Sequence, residues 1–509
     1  MFRQNCTFSL SFSFLVTILC LTYTSFVRGQ TTEKLEAIDE IFSSYHENEG
    51  FQGAILVAES GDVIYKRAFG LANREWNISN QVDSRFDIAS VSKQFTAMLV
   101  MQLYEEGKIH LDSTISSYDP EYRSDVAQKV TVHHLLTHRS GIPNYTSIPY
   151  VWSDSLINQY DSDEVIQKFC SGDLEFEPGT QYSYNNSGYF ILSVLLEKVS
   201  GKPFAELLEE KILEPLHMTD TGVDDRSRII DKRSYGYVEV NGQFENARPM
   251  HMANLQGAGN MYSTVEDLYR WDRALHAGKL ISPKGHQEMV EAFSKESSTW
   301  ITPYKNAYGY GMGIAKVPGP DRKDLMMVFH SGHITGYSSF LARFVKDEHL
   351  VVMLSNLGEL STVRMNEVTQ QVKNVLYGLP YEVSKRSLKS MLFNTIRNEG
   401  VEVALQQYDK LVETYPYDFK HTEASLHQLG QQLLTSGMDN EALEILKLNV
   451  RVNPGWKTYQ ALADAYFTKK NYQNAASIYK KSMQVNPRST KQEKNAHQKV
   501  SQSLNSLNQ

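Results

Sequence analysis

The chain has 509 residues, 41% of them hydrophobic and 22% charged, with 51 Lys and Arg against 59 Asp and Glu and a mean hydropathy of −0.41. That composition supports a large buried core and excludes disorder as the main state. A net charge of −8, with no basic run, excludes a general nucleic-acid binder. At the N-terminus, Met1 to Gly29 carries Arg3, no acid and an apolar stretch from Phe8 to Phe26, followed by Val27-Arg28-Gly29-Gln30. Residues 1–29 read as an export signal, which predicts a periplasmic or secreted protein. The stretch is long and rich in Ser and Thr, so the alternative is an uncleaved single-span anchor, the one route to a membrane. Ile18-Leu19 ahead of Cys20 do not fit a lipoprotein cleavage box. Cys6 and Cys20 lie in the signal, leaving Cys170 alone in the mature chain, so no intramolecular disulfide and no cysteine zinc site is expected.

Next, Gly53-Ala-Ile-Leu-Val-Ala58, Ser60-Gly61-Asp62 and Val63-Ile64-Tyr65 predict a two-stranded hairpin around a Gly turn. From Val91 to Glu106 the apolar residues fall at helical spacing, with Gly107 as the stop, which puts Ser90 at a helix N-terminus. A second apolar helix runs from Phe190 to Val199, and strands follow at Met326–Phe329, Ser338–Ala342 and Leu350–Leu354. Strands at both ends enclosing a helical middle predict one antiparallel sheet with helices packed on it, an α+β domain over residues 30–381. A linker is expected near Gly378-Leu379-Pro380, and from Ser384 to Val485 the pattern is almost purely helical. There, Ala404, Tyr408 and Pro416 recur 38 residues on as Ala442, Leu446 and Pro454, then 33 further on as Ala475, Tyr479 and Pro487. Leu426, Leu429, Gly430 and Leu433 likewise recur as Tyr459, Leu462, Ala463 and Tyr466. Small residues at helix crossings, with a Pro ending each second helix, are what stacked helical hairpins need, and the period resembles the tetratricopeptide repeat. Residues 382–490 are thus expected to be an all-α helical-repeat domain of two repeats and an upstream half, with a polar tail over 491–509. Such a domain either packs on its neighbour or binds a protein partner.

The chemistry-bearing residues lie in the first domain. In Phe86-Asp-Ile-Ala-Ser90-Val-Ser92-Lys93, the helix start offers N–H donors for an oxyanion, and Lys93 lies one turn from the Ser90 hydroxyl, which needs a base to become a nucleophile. Ser92 reads as a packing or capping residue. Phe176-Glu-Pro-Gly-Thr180-Gln-Tyr-Ser-Tyr184-Asn-Asn186 places Tyr-x-Asn after a Pro-Gly turn and before a helix, at a loop mouth. His330-Ser331-Gly332-His333 follows an apolar strand. No histidine shows helical metal-ligand spacing, so His133, His134, His138, His330 and His333 are expected to be solvated or to stand behind a site, and no metal or organic cofactor is implied.

In this order, S-x-x-K, Y-x-N and a [K/H]-x-G strand resemble the serine β-lactamase and penicillin-binding-protein superfamily, in its class C β-lactamase, D-Ala-D-Ala carboxypeptidase and esterase branch. His134-Leu-Leu-Thr-His-Arg-Ser-Gly141, Gly259-Asn-Met-Tyr-Ser-Thr264 with Asp267, and Tyr308-Gly-Tyr-Gly311 resemble it too, over residues 35 to 375. The resemblance implies a β-lactamase/transpeptidase-like fold, with an antiparallel sheet, flanking helices and a helical subdomain. It implies Ser90 as the acylated nucleophile and Lys93 as its proton partner. Tyr184 would be the general base and relay, Asn186 a partner of Lys93 and of the substrate amide. The oxyanion hole would come from the backbone N–H of Ser90 and of His333, which follows Gly332. Whether Lys93 or Tyr184 takes the first proton is a matter of coupled titration.

One departure is His330, where the family's β-lactamases and most of its carboxypeptidases have Lys. A lysine pairs with the substrate carboxylate, whereas histidine is mostly neutral above a pKa of about 6.5. Histidine here resembles the esterase and D-aminopeptidase members and argues against strong β-lactamase activity. Its bland alternative is a strand-edge hydrogen-bonder without catalytic duty. The sequon-like Asn77-Ile-Ser79, Asn144-Tyr-Thr146 and Asn185-Asn-Ser187 are read as chance matches. The sequence therefore predicts an exported serine hydrolase acting through an acyl-enzyme, the competing reading being a catalytically weak scaffold whose repeats bind a partner. A small acyl ester, a D-amino-acid peptide and a peptidoglycan stem all fit, with loops 144–163 and 225–254 shaping the pocket.

Overall fold

A computed structural model describes residues 32–485, apart from 49, 149–150, 152–154, 226, 241–242, 294–305, 359–361, 385–387 and 415–421, together with residues 498 and 501. The expected export signal and, apart from residues 498 and 501, the expected polar tail lie outside the described residues, as do Pro416 and Pro487 of the expected repeat. The chain divides into two compact units, one built mainly from residues 50–238 and 245–383, the other from Ser384 onward.

The first unit is organised by strand alternation. Helix α1 (residues 32–48) leads into β1 (Gly53–Glu59) and β2 (Asp62–Phe69). They are joined by Ser60 and Gly61 at φ 51° and 89°, the paired positive values of a tight hairpin turn. The central helices are α2 (Lys93–Glu105), α3 (Val132–Leu136), α4 (Asn186–Ser200) and α5 (Val265–His276). The chain then returns through β3 (Asn306–Tyr308), β4 (Gly313–Pro318), β5 (Asp324–Ile334), β6 (Tyr337–Phe344) and β7 (His349–Ser355), and ends in α6 (Thr362–Leu376). One seven-stranded sheet results, in the order β3-β4-β5-β6-β7-β1-β2 with antiparallel pairing throughout. The expectation of one sheet assembled from both ends of the domain holds, with β1 paired to β7 from Gly53 opposite Ser355 to Ala58 opposite Leu350.

Both faces of this sheet are covered, which explains strands that read as unbroken apolar runs. Leu350, Val352 and Leu354 of β7, with Ala54 and Leu56 of β1, face the core shared with α2, α4 and α5. Val351, Met353, Ile55 and Val57 face the opposite core, where Ile38, Ile41, Phe42 and Tyr45 of α1 and Met365, Val368 and Val372 of α6 lie at helical spacing. α2 is buried along nearly its whole length, and Phe95 stacks on Trp271 of α5 at 4.2 Å. α5 is fastened to the sheet by a buried ion pair between Asp272 and Arg343 of β6. Breaking one partner of such a pair would leave a buried charge uncompensated.

Among the described residues the second unit has six helices: α7 (Leu388–Glu399), α8 (Val401–Thr414), α9 (Thr422–Thr435), α10 (Asp439–Val452), α11 (Trp456–Thr468) and α12 (Tyr472–Val485). They pack as consecutive pairs, α7 with α8, α9 with α10 and α11 with α12. Ala404, Ala442 and Ala475 occupy equivalent places on the second helix of each pair, and all three are fully buried. A Cβ on Gly430 would stand 2.6 Å from Leu446 Cδ2, so close helix approach accounts for the small residue there. The stretch read from sequence as an upstream half-repeat is a full helix pair, whose first member, α7, lacks the small residues that Gly430 and Ala463 provide in the later pairs. Among the described residues no helix is long and apolar enough to cross a membrane.

Candidate active site

Ser90 lies in a 3-10 turn, Ala89–Ser92, directly ahead of α2. The predicted helix from Val91 is therefore tightened over its first residues. Ala89 has a φ of 46°, which swings the chain out of the short strand Phe86–Asp87 and into the turn. Ser92 braces that turn, donating to the Ala89 carbonyl at 2.6 Å and accepting from the Met261 N–H at 3.3 Å, so of the packing and capping roles expected it takes the packing one.

Lys93 is the first residue of α2 and is wholly buried. Its Nζ reaches the Ala258 carbonyl at 2.6 Å, Asn186 Oδ1 at 2.7 Å and Ser90 Oγ at 3.0 Å. The first two can only accept, so they fix two N–H bonds of the amine and leave the third tetrahedral position facing Ser90. A neutral amine there can take the hydroxyl's proton, whereas an ammonium can only donate. Burial holds the Lys93 pKa well below its ordinary value, favouring the neutral amine.

Tyr184 and Asn186 arrive from the other side of the site. Helix α4 starts at Asn186, four residues earlier than predicted, because the Asn185 side chain caps it by accepting the Gly188 N–H at 2.8 Å. Asn186 donates from Nδ2 to Thr146 Oγ1 at 2.7 Å, which orients the amide so that Oδ1 faces Lys93. Thr146 donates in turn to Asn144 Oδ1, which also accepts the Asn186 N–H. Lys93 Nζ stands 4.9 Å from the centre of the Tyr184 ring. Burial raises the Tyr184 pKa above that of a free phenol, and a hydrogen bond with Ser90 offsets part of the rise.

The third wall is β5. A Cβ on Gly332 would fall closer than 3.0 Å to both the Ile88 carbonyl oxygen and Ser339 Oγ, so the bare glycine lets the strand lie against the Ser90 turn. Ser339 Oγ donates to the Ile88 carbonyl at 2.7 Å and ties β6 to the same turn. Ile334 pairs with Tyr337 across the two-residue turn, and His333 with Ser338. By the alternation of an antiparallel ladder, the N–H of His333 points away from β6. β4 pairs β5 only as far as Phe329, so that N–H faces the open edge beside Ser90.

His330 is fully buried. Its Nδ1 lies 2.6 Å from the Ser331 carbonyl, and its Nε2 lies 3.0 Å from the Tyr308 hydroxyl. A carbonyl cannot donate, so the ring proton is on Nδ1 and Tyr308 donates to Nε2. Burial, then the neighbouring Lys93, push its pKa down to about 3, so the imidazole is neutral.

The geometry thus brings together Ser90, Lys93, Tyr184, Asn186 and the His330–His333 strand. Of the histidines expected to be solvated or to stand behind a site, His138 and His330 stand behind it, both buried and His138 among tyrosines. Of the sequon-like sites, Asn185 is buried and Asn144 is engaged with Asn186 and Thr146, while Asn77 is exposed. Sequence reasoning placed Asn144 and Thr146 only within a pocket-shaping loop and gave no site role to Ala258 or Tyr308. Tyr308 had a signal, the Tyr-Gly-Tyr-Gly stretch. Among the described residues no group of three His, Cys, Asp or Glu could hold a metal ion.

Residues 38–372 match the family model described as Beta-lactamase. Penicillin-binding protein 4* of Bacillus subtilis is 30% identical over 368 residues, covering 69% of this chain and 78% of that protein. The crystal structure of a penicillin-binding protein from Bacillus halodurans is similar with a TM-score of 0.57 at 25% identity, covering 65% of this chain and 98% of that one. A D-amino acid amidase from Ochrobactrum anthropi, complexed with L-phenylalanine amide, shares the fold with a TM-score of 0.60 at 24% identity, over 68% of this chain and 99% of that one.

Proposed function

The chain belongs to the beta-lactamase family of serine hydrolases, and from that premise we propose that it cleaves an ester, amide or D-amino-acid peptide through an acyl-enzyme on Ser90, in preference to a β-lactam. The observation that carries this reading is the buried Lys93 amine, anchored by two carbonyl oxygens with its remaining position on Ser90 Oγ at 3.0 Å. In the first half-reaction, Ser90 Oγ bonds to the substrate carbonyl carbon as its proton passes to the Lys93–Tyr184 pair. The displaced electron pair rests on the carbonyl oxygen, held by the N–H groups of Ser90 and His333. Collapse breaks the bond to the leaving group, which takes a proton by way of Tyr184. Water then attacks the acyl carbon as its proton passes by way of Tyr184 to the Lys93 amine, and collapse breaks the acyl carbon–Oγ bond as Ser90 Oγ takes that proton back, releasing the acid.

His330 supports the substrate preference. A neutral imidazole held between Tyr308 and Ser331 offers no positive charge to a carboxylate such as that of a penicillin or a D-Ala terminus. The first 29 residues are read as directing export. The C-terminal helices are read as tetratricopeptide-like, bringing the hydrolase to a protein partner. The test compares turnover of p-nitrophenyl butyrate, D-phenylalanine amide and benzylpenicillin by the full chain at matched concentrations. Turnover of the ester or the amide, with benzylpenicillin neither hydrolysed nor retained on Ser90, is the expected result. Benzylpenicillin as the fastest substrate would overturn the preference.

A further inference from the structure

His138 holds a place in the backbone that normally goes to glycine. Helix α3 ends in a Schellman motif, with the Arg139 N–H bonded to the His134 carbonyl at 2.8 Å and the His138 N–H to the Leu135 carbonyl at 3.3 Å. The motif requires its C′ residue in the left-handed region, and His138 sits there at φ 57°. Gly would take that conformation without strain, so the side chain at this position is the feature to explain.

Three contacts of His138 converge on one residue of the site. Its carbonyl accepts the Ser183 N–H at 2.9 Å, and its ring Nδ1 accepts the Asn185 N–H at 3.1 Å. Tyr184 is the residue between those two donors. The imidazole also packs against the Tyr184 ring, with centroids 4.3 Å apart and a tilt of 47°. On its other sides the imidazole meets Tyr308 at 4.5 Å, Tyr189 at 5.1 Å and Tyr182 at 5.9 Å, which leave it no room to turn. Tyr184 itself lies in a segment without regular structure, where no helix or strand ladder fixes its backbone.

We propose that His138 is the positioning residue for Tyr184: it clamps the backbone on both sides of the tyrosine and seats the phenol ring, so that the hydroxyl stays within reach of Ser90. His138 touches neither the nucleophile nor its lysine by hydrogen bond, and its contribution passes entirely through Tyr184. The reason a histidine is used follows from the geometry. One residue in the left-handed conformation presents a carbonyl and an aromatic ring nitrogen to two N–H groups two residues apart. The inference rests on the reading of Tyr184 as the proton relay of an acyl-serine mechanism.

The experiment separates that premise from the proposal. Fluorophosphonate labelling of the full-length chain, read by intact mass, is expected to modify the wild type and to fail on Ser90→Ala. An unlabelled wild type, or labelling that survives Ser90→Ala, overturns the premise and the proposal together. In the enzyme that labels, His138→Gly and His138→Asn are compared for hydrolysis of p-nitrophenyl butyrate. Both residues accept the left-handed backbone, and Asn keeps an oxygen where Nδ1 stood. His138→Gly is expected to lose kcat on the order of 100-fold with KM little changed, the scale of a misplaced catalytic group, and His138→Asn to recover most of it. Wild-type kcat in a folded His138→Gly overturns the proposal. If His138→Gly does not fold, His138→Asn carries the test through the rate of phosphonate labelling, measured alone and in a Tyr184→Phe background. A loss seen with Tyr184 present and absent in the Tyr184→Phe background supports action through the tyrosine. An equal loss in both, or no loss in either, overturns it.

Discussion

Replacing Gly332 with Ala adds one methyl group at the tightest approach in the site. That Cβ would stand inside 3.0 Å of both the Ile88 carbonyl oxygen and Ser339 Oγ, and 3.1 Å from the Ala89 Cβ. Ordinary contact at such atoms begins near 3.4 Å, so β5 and the Ser90 turn must separate by on the order of 1 Å. The Ser339 hydroxyl can rotate away, whereas the Ile88 oxygen is backbone at the foot of the turn that carries the nucleophile. Overpacking of this kind costs about 1–3 kcal/mol. At roughly 2–4 °C per kcal/mol for a domain of this size, the melting temperature should fall by about 2–12 °C. Activity should suffer more, because the displaced strand carries the His333 N–H, and a 1 Å misplacement costs on the order of 100-fold in kcat. The assay is ester turnover alongside thermal melting of Gly332→Ala and of Gly332→Ala/Ser339→Ala. Removing Oγ relieves one of the two clashes, so the double variant should recover only part of the loss. Wild-type melting and turnover in Gly332→Ala, or full recovery in the double variant, would refute the claim that backbone crowding at Ile88 sets the position of the strand.

Asn186→Asp places a carboxylate on Lys93 Nζ, 2.7 Å away in the wild type. The ion pair raises the lysine's pKa and keeps it protonated, so kcat/KM at neutral pH should fall by about 100-fold and its pH profile should move to higher pH; an unchanged profile contradicts a neutral Lys93. Folding stability should depend on pH through His330, whose folded pKa is pushed down to about 3 from 6.5. Between those values the unfolded chain binds a proton that the folded one refuses, so the stability is intact above 6.5 and is lost as the pH falls toward about 3. The melting temperature of His330→Gln should therefore drop less than that of the wild type from about pH 7 to pH 4, and parallel curves would place the acid sensitivity elsewhere. Ending the chain after Val383 should leave ester hydrolysis intact, since the helices from Leu388 onward have their own buried core. A folded but inactive truncation would mean that the C-terminal unit completes the site.

The strands at Gly53–Ala58 and Leu350–Leu354 were legible because both sheet faces are covered, so that they show as continuous apolar runs, whereas β3 and β4 show no such run and were not expected. Ser90, Lys93, Tyr184 and Asn186 were legible because the ordered motifs that carry them resemble those of the β-lactamase superfamily, while Pro, Gly and helical spacing marked only the turn-to-helix junctions where they sit. What escaped were roles created by contacts between distant segments. His138 meets Asn185 across 47 residues and Tyr308 meets His330 across 22, and although both lie in stretches that resemble the family, nothing in those stretches names the partner. The same cause left open whether the histidines are solvated or stand behind the site, since burial of an isolated imidazole is decided by the tyrosines that tertiary structure gathers around it. The start of α4 was missed for a local reason: the cap is Asn185, and a polar Asn-Asn-Ser run reads as loop until its side chain is seen closing on the Gly188 N–H.

The central claim is that Ser90 is a nucleophile activated by Lys93. Intact-mass spectrometry of the mature chain and of Ser90→Ala, after exposure to a fluorophosphonate, tests it most directly. One adduct on the wild type and none on a folded Ser90→Ala is the expected result. A folded wild type that takes no label, or a Ser90→Ala chain that labels equally well, would contradict it.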